Sequence, residues 1–196
     1  QYPFGYGLSY TSFTQEISDF KDEGNTVTVD VTVTNTGDVA GKDVVQLYYT
    51  PPYYVGGSEK AFVNLADYEK TEILEPGESQ TVTISFNYED MASYDYQNNG
   101  CYVLEHGDYE IKLMNNAHDL IDSRTITVAS DIVYNDANAG ARSTDNVAAV
   151  NQFDDVSEGN DVTYVSRADW EGTLPASRPA NKDASEEIIN EIENQG

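Results

Sequence analysis

The sequence predicts an all-β fold, an antiparallel sandwich with an extended C-terminal arm, and three observations carry that prediction. Between Thr14 and Ser130 apolar and polar residues alternate with a period of two, the pattern of strands with one wet face. Gly, Pro, Asn and Asp clusters punctuate these runs at short intervals. From Asp131 the alternation stops, and alanine, asparagine and aspartate take over.

The chain starts with an uncharged aromatic leader, Gln1-Tyr2-Pro3-Phe4-Gly5-Tyr6-Gly7-Leu8-Ser9-Tyr10-Thr11. Chain starts are commonly polar and loosely ordered, so these rings are expected to bury against something. The reading that follows is that the protein continues upstream and that residues 1–13 are the tail and connector of a preceding domain. Next, Val27, Val29, Val31 and Val33 alternate with Thr28, Asp30, Thr32 and Thr34. Lys42 to Thr50 is more continuously apolar, as a central strand would be. Val82, Ile84 and Phe86, then Tyr109, Ile111 and Leu113, then Ile126 and Val128, repeat the strand period. The turns are Asn35-Thr36-Gly37-Asp38, Glu75-Pro76-Gly77-Glu78 and Glu105-His106-Gly107-Asp108. Helix has little room here beyond one turn at Glu89 to Tyr94. About seven short strands so spaced describe an immunoglobulin-like sandwich over residues 14–130. The expected core includes Val29, Val31, Leu47, Ile84, Phe86, Tyr109 and Ile111.

Residues 131–182 read as an arm whose scattered apolar residues, among them Tyr134, Phe153, Tyr164 and Trp170, cannot form a core. They suit a strap lying on other surfaces. Residues 183–196 read as a short helix, capped by Asp183 with Glu186 three residues on, with Ile188, Ile189 and Ile192 on one face.

Ten basic against thirty-five acidic residues give a net charge of −25. Such a field repels phosphate backbones and anionic lipid, so neither nucleic acid nor a membrane surface is an expected partner. A single cysteine, Cys101, excludes an internal disulfide and zinc-cluster spacing; a buried structural thiol is expected. No apolar run is long enough to span a bilayer.

The sandwich segments, taken together, resemble a known family. Val31-Thr32-Val33-Thr34-Asn35-Thr36-Gly37-Asp38-Val39-Ala40-Gly41 with Val44-Val45-Gln46-Leu47-Tyr48 is similar to the first hairpin of the fibronectin type III-like domain of glycoside hydrolase family 3. Leu74-Glu75-Pro76-Gly77-Glu78 and Gly107-Asp108-Tyr109-Glu110-Ile111 resemble its later turns, and Pro3 to Tyr10 resembles the signature that leads into it. In order, these pieces cover roughly residues 1–130. The stretches Arg142-Ser143-Thr144-Asp145 and Ser166-Arg167-Ala168-Asp169-Trp170-Glu171-Gly172 resemble the linker of members with reversed domain order. The resemblance implies a non-catalytic accessory domain of a retaining β-glucosidase-type enzyme. Its partners would be an α/β sandwich domain, a (β/α)8 barrel and the carbohydrate substrate of the whole. Two readings from other classes stand beside it: an independent carbohydrate-binding module, and a spacer with no glycosidase partner.

Hydrolysis of a glycosidic bond needs two carboxyl groups. Asp169-Trp170 looks like the family's nucleophile motif, but there a serine precedes the aspartate, and here Ala168 does. A linker aspartate beside a docking tryptophan is the better reading, and no catalytic residue is expected in this chain. Tyr53 and Tyr54, in a loop with Gly56-Gly57, could reach a sugar in a neighbouring domain, whereas packing with bonded hydroxyls is the plainer reading. Tyr94 and Tyr96 read more firmly as packing residues. Phe4, Tyr6, Tyr10, Phe153 and Trp170 are the expected interdomain anchors. The acidic loop at Asp154, Asp155, Glu158 and Asp161 lacks EF-hand spacing, and His106 and His118 are too separated for a metal site. No cofactor and no metal are expected.

Overall fold

The computed structural model describes residues 2–150, 165–169 and 185–194 of the 196. The chain divides into two units, Gln1–Glu158 and Gly159–Gly196. In the first, β1 (Phe13–Asp22), β2 (Thr26–Asn35) and β5 (Ser79–Asn87) form one antiparallel sheet in the order β1-β2-β5. Strands β3 (Val44–Thr50), β4 (Asn64–Lys70), β8 (Gly107–Asn116) and β9 (Asp119–Val128) form the other, in the order β4-β3-β8-β9. The central position expected for the apolar run around β3 is where it lies.

The core is what the alternation dictates. Val27, Val29, Val31 and Val33 of β2 are fully buried and meet Val82, Ile84 and Phe86 of β5. Val45, Leu47 and Tyr49 of β3, with Tyr109, Ile111 and Leu113 of β8, come from the opposite sheet. The other face of the β2–β5 pair is wet and carries a ladder of side-chain bonds across the strands. Thr26 donates to Asn87, Thr28 and Ser85 share a hydrogen bond, Thr83 donates to Asp30, Thr32 meets Thr81, and Thr34 meets Ser79. Such cross-strand pairs add a few tenths of a kcal/mol each, roughly 0.2–1. They also fix register, since a slip of one residue would turn the valines outward.

A third, smaller sheet departs from the expectation. β6 (Ser93–Asp95), β7 (Cys101–Leu104) and β10 (Ile132–Tyr134) pair in the order β10-β7-β6. The sequence pattern predicts no strand at Ser93–Asp95 or Cys101–Leu104, and the arm begins as a strand, with Tyr134 buried against the core. These strands are three or four residues long, too short for a period to register. A 3-10 turn at Tyr88–Met91 takes the place of the single helical turn expected near Glu89. Cys101 is buried, and burial pushes its thiol pKa up, as a structural thiol requires.

One polar side chain organises one end of the sandwich. Asn35, the last residue of β2, is fully buried, and its amide is completely satisfied. Nδ2 donates to the carbonyls of Val39 (2.9 Å) and Leu74 (2.8 Å), while Oδ1 accepts from Thr11 Oγ1 (2.9 Å) and the Gly37 N–H (3.0 Å). Its backbone N–H donates to Glu78 O, and its carbonyl accepts from the Gly77 N–H. The Glu75–Glu78 turn is thereby held against β2; Gly77 has φ +82°, a conformation for which glycine is suited.

In the second unit, α1 (Glu186–Glu193) is the expected helix, shorter and capped differently. Ser185 is the N-cap and accepts from the Ile188 N–H, in place of Asp183, which lies outside the described residues. Ile188, Ile189 and Ile192 are exposed.

Truncating Ile111 to alanine removes a buried side chain from between the sheets and should cost about 2–5 kcal/mol in urea unfolding. Asn35→Ala strands four bonded groups at once, and one stranded buried polar group already costs about 1–3 kcal/mol. It should lower the unfolding midpoint at least as far as Ile111→Ala; a change near zero for either would assign the wrong core.

Candidate interdomain face

The aromatic leader does not fold into the core, yet it is pinned. Gln46 of β3 donates from Nε2 to the Gly5 carbonyl (3.2 Å) and to the Asn115 carbonyl (3.0 Å), and its Oε1 accepts from Tyr48 Oη (2.8 Å). The Ala117 N–H donates to the Phe4 carbonyl at 2.9 Å. Gly5 has φ +79°, and a Cβ there would overlap Gln46 Oε1 and Tyr48 Oη, so only glycine passes this point unstrained. Further along, the Thr36 and Gly37 N–H groups donate to Ser12 O. With its backbone so fixed, the leader leaves its rings outside: Phe4 is 67% exposed, Tyr6 44% and Tyr10 101%. Tyr2 stacks on Tyr6 with centroids 4.7 Å apart.

The loop between β3 and β4, which holds Tyr53 and Tyr54, is braced from several sides. Tyr53 Oη donates to Glu59 Oε1 at 2.8 Å. Tyr54 Oη donates to the His106 carbonyl at 2.9 Å, and its ring stacks on the His106 imidazole. His106 Nδ1 lies 2.8 Å from Asp131 Oδ1, at the head of the arm. Below the loop, Lys60 and Glu105 form an ion pair that is almost wholly buried. Glu105 also accepts from the Ser58 N–H, and its carbonyl accepts from Tyr109 Oη. The loop presents Val55, 83% exposed, at its tip. Both tyrosine hydroxyls are therefore engaged within the loop's own framework.

Beside that loop sits the turn between β6 and β7. The buried carboxylate of Asp95 accepts from the N–H groups of Gln97, Asn98 and Asn99 and from both asparagine side chains. Burial works to raise this carboxyl, but the bonds from the Asn99 side chain and from the Asn98, Asn99 and Gln97 backbone outweigh it and hold its pKa below the ordinary value. Asn98 Nδ2 reaches the Gly56 carbonyl at 3.5 Å, joining this turn to the Tyr54 loop. Tyr94 bonds the Gly100 carbonyl and meets Tyr102 edge to face, and Tyr96 accepts from the Gln97 side chain.

After β10 the chain returns over the small sheet. Arg142 lies over the Tyr102 ring, 3.6 Å from its centroid, and makes a two-pronged pair with Asp145. The Ser143 N–H donates to Glu89, closing the strap on the 3-10 turn. The anchors Phe153 and Trp170 and the acidic loop at 154–161 lie outside the described residues. Asp169 is exposed in a short turn. Among the described residues no group of three or more His, Cys, Asp or Glu is placed to hold a metal, and no helix is long and apolar enough to cross a membrane. Sequence reasoning missed Gln46 and Asn35, the two amides that fix the leader; an amide within or ending an apolar strand is the signal that could have found them.

Residues 43–117 match the family described as fibronectin type III-like domain. β-Glucosidase A of Butyrivibrio fibrisolvens is 42% identical over 138 residues, which are 60% of this chain and 16% of that protein. Among solved structures, the Paenibacillus barengoltzii β-glucosidase superposes with a TM-score of 0.63 at 39% identity, over 68% of this chain and 16% of the other. The sandwich is a fibronectin type III-like domain, similar to the corresponding region of these β-glucosidases. The GH3 β-glucosidase of Bifidobacterium adolescentis also matches, with a TM-score of 0.58 at 29% identity, over 65% of this chain and 18% of the other. The chain thus spans about a sixth of the length of the relatives it matches, 16% of the first.

Asp95 yields a prediction with a definite sign. Its folded pKa is below the unfolded value of about 3.9, so its contribution is present above that value and is lost as pH falls through the folded pKa. Asp95→Asn should therefore be less stable than the native chain near neutral pH, with the gap closing toward about pH 3. Urea midpoints at the two pH values measure this, and a gap that stays constant would contradict it.

Proposed function

We propose that this chain is the non-catalytic accessory domain of a β-glucosidase-type enzyme, and that it holds the catalytic domains of that enzyme in their mutual orientation. The observation that carries the reading is the leader: its backbone is fixed by Gln46, Ala117 and Thr36, while Tyr10 and Leu8 stand 101% and 89% exposed. Rigid backbone beneath exposed large apolar groups is the construction of a contact surface. On this reading Phe4, Tyr6 and Tyr10 pack on an α/β sandwich domain that precedes the chain. The arm, with Phe153 and Trp170 as anchors, leads on to a (β/α)8 barrel, and a downstream coding sequence without a barrel would overturn that order. The chemistry then belongs to the neighbours, and the sugar is theirs to choose.

The braced Tyr53 loop supports a finer element of the same reading. A loop held by a buried ion pair and two tyrosine hydroxyls presents its tip in one geometry, which suits a wall placed beside a sugar site in a neighbouring domain.

Three outcomes test the reading. The isolated chain should hydrolyse no aryl glucoside, and turnover abolished by Asp169→Asn would overturn the accessory assignment. Tyr10→Ala should lower the melting temperature of the full-length enzyme and leave that of the isolated chain unchanged, because the ring is already in water there. Equal losses in both would make the leader a part of the sandwich alone. In the full-length enzyme Lys60→Met, which breaks the brace beneath the loop, should raise KM more than it lowers kcat; unchanged kinetics would remove the loop from the sugar site.

A further inference from the structure

The turn between β6 and β7 contains the chain's one Asn-Gly pair, Asn99-Gly100. Such a pair is chemically unstable wherever it is free to move. The backbone nitrogen of the glycine attacks the side-chain carbonyl carbon of the asparagine and closes a cyclic imide. Here that step would form a bond from Gly100 N to Asn99 Cγ and break the Cγ–Nδ2 bond. The Gly100 amide proton would pass to the departing nitrogen through water, and ammonia would leave. Water then adds to one or the other imide carbonyl, giving aspartate or isoaspartate. Glycine favours the attack because no Cβ shields its nitrogen or limits its dihedrals. Asn99 is exposed, and a Cβ built at Gly100 would meet nothing within 4 Å, so bulk does not protect the pair.

Hydrogen bonds protect it instead, and Asp95 makes them. The Asp95 carbonyl accepts from the Gly100 N–H at 2.7 Å. Its carboxylate Oδ2 accepts from Asn99 Nδ2 at 2.7 Å and from the Asn99 N–H at 3.2 Å. The first bond keeps the proton on the nucleophile and fixes the peptide plane between the two residues. The second fixes the group that would leave, and it sets a negative charge beside the carbon where negative charge develops during attack. Tyr94 Oη holds the Gly100 carbonyl at 2.8 Å. The guard is itself fixed, since Asp95 is buried and its Oδ1 accepts from the Gln97 and Asn98 N–H groups.

We infer that Asn99 is a latent modification site, which Asp95 keeps from converting to aspartate and isoaspartate in the folded chain, and which opening of this one turn exposes to conversion. The product does not fit the turn. A carboxylate at position 99 would face that of Asp95 where an amide now donates, and isoaspartate would add a methylene to the backbone just before β7. Because β7 pairs with β10 at the head of the arm, the damage falls on the small sheet and spares the two large ones. The inference does not depend on the chain's being an accessory domain.

Incubation of the 196-residue chain in mildly alkaline buffer, followed by peptide mapping with isoaspartate scored by enzymatic methyl transfer, tests it. Loss of one hydrogen bond to a charged group corresponds to about tenfold or more in rate. Conversion at Asn99 should therefore be slower by at least about that factor in the folded chain than in guanidinium chloride. Asp95→Asn cannot accept on both sides of the turn, so while folded it should convert about tenfold or more faster than the native chain. Equal rates in the folded and unfolded native chain, or a folded Asp95→Asn no faster than native, would overturn the inference. If that variant does not fold, hydrogen exchange at the Gly100 amide of the native chain decides. Slowed exchange is expected; exchange at the unfolded rate would mean that the nucleophile is not held, and the inference would fall.

Discussion

The amide of Asn35 is the constraint on which this arrangement depends. A fully buried primary amide is costly unless each of its donors and acceptors is met, and here Thr11, Gly37, Val39 and Leu74 meet all of them. Those partners belong to three pieces of chain, the end of the leader, the crossover from β2 to β3 and the connection into β5. Hydrophobic burial brings the two sheets together but does not say where the ends go, because it is non-directional. A satisfied amide does say so. Once Thr11 is tied, Ser12 lies where Thr36 and Gly37 can bond it, and the leader departs in a fixed direction toward Gln46.

The valine alternation of β2 made the core legible in the sequence, and each of Val29, Val31, Leu47, Ile84, Phe86, Tyr109 and Ile111 is buried where it was expected. The small third sheet was not legible. Ser93–Asp95, Cys101–Leu104 and Ile132–Tyr134 are strands because of what they lie beside, not because of their own pattern. Tyr102 pairs with both Tyr94 and Tyr134, an arrangement no local window contains. The helix cap was misread for a related reason. Asp183 and Ser185 both carry suitable side chains, and the choice turns on where the helical geometry begins. The leader's aromatic composition pointed to a contact surface, whereas the groups that fix it, Gln46 and the Ala117 N–H, lie far along the chain.

The outer face of the four-stranded sheet shows how little of this domain is plain surface. Tyr48, Lys112 and Met114 are buried there although they point away from the core cluster. Lys112 is held between Glu110, at 2.9 Å, and the Phe62 ring, whose centroid is 5.1 Å from Nζ. The hydrogen bond it gives Glu110, more than its charge, helps hold that carboxyl below the ordinary carboxylate pKa. This face is thus covered at one end by the leader and at the other by the loop between β3 and β4. Both segments are braced by hydrogen bonds and leave large apolar residues, Leu8, Tyr10 and Val55, exposed.

That coincidence bears on why the loop contains a buried ion pair at all. Taking Lys60 and Glu105 out of water costs several kcal/mol per ion, which their attraction barely offsets, so the pair contributes little net stability. A well-packed apolar pair would serve a free-standing sandwich at least as well. What an ion pair supplies is direction: Glu105 must sit where it can also accept from Ser58, and its backbone carbonyl must meet the Tyr109 hydroxyl. Losing either contact leaves a part-buried polar group without its partner. The loop therefore has one low-energy geometry where a glycine-rich, apolar-tipped segment would otherwise have many. Specifying a loop that the core does not need makes sense where its position matters to something outside the sandwich. The same logic applies to Gln46, whose amide is oriented by Asn115 and Tyr48 so that its other N–H meets the Gly5 carbonyl and holds the leader to a sheet that would be complete without it.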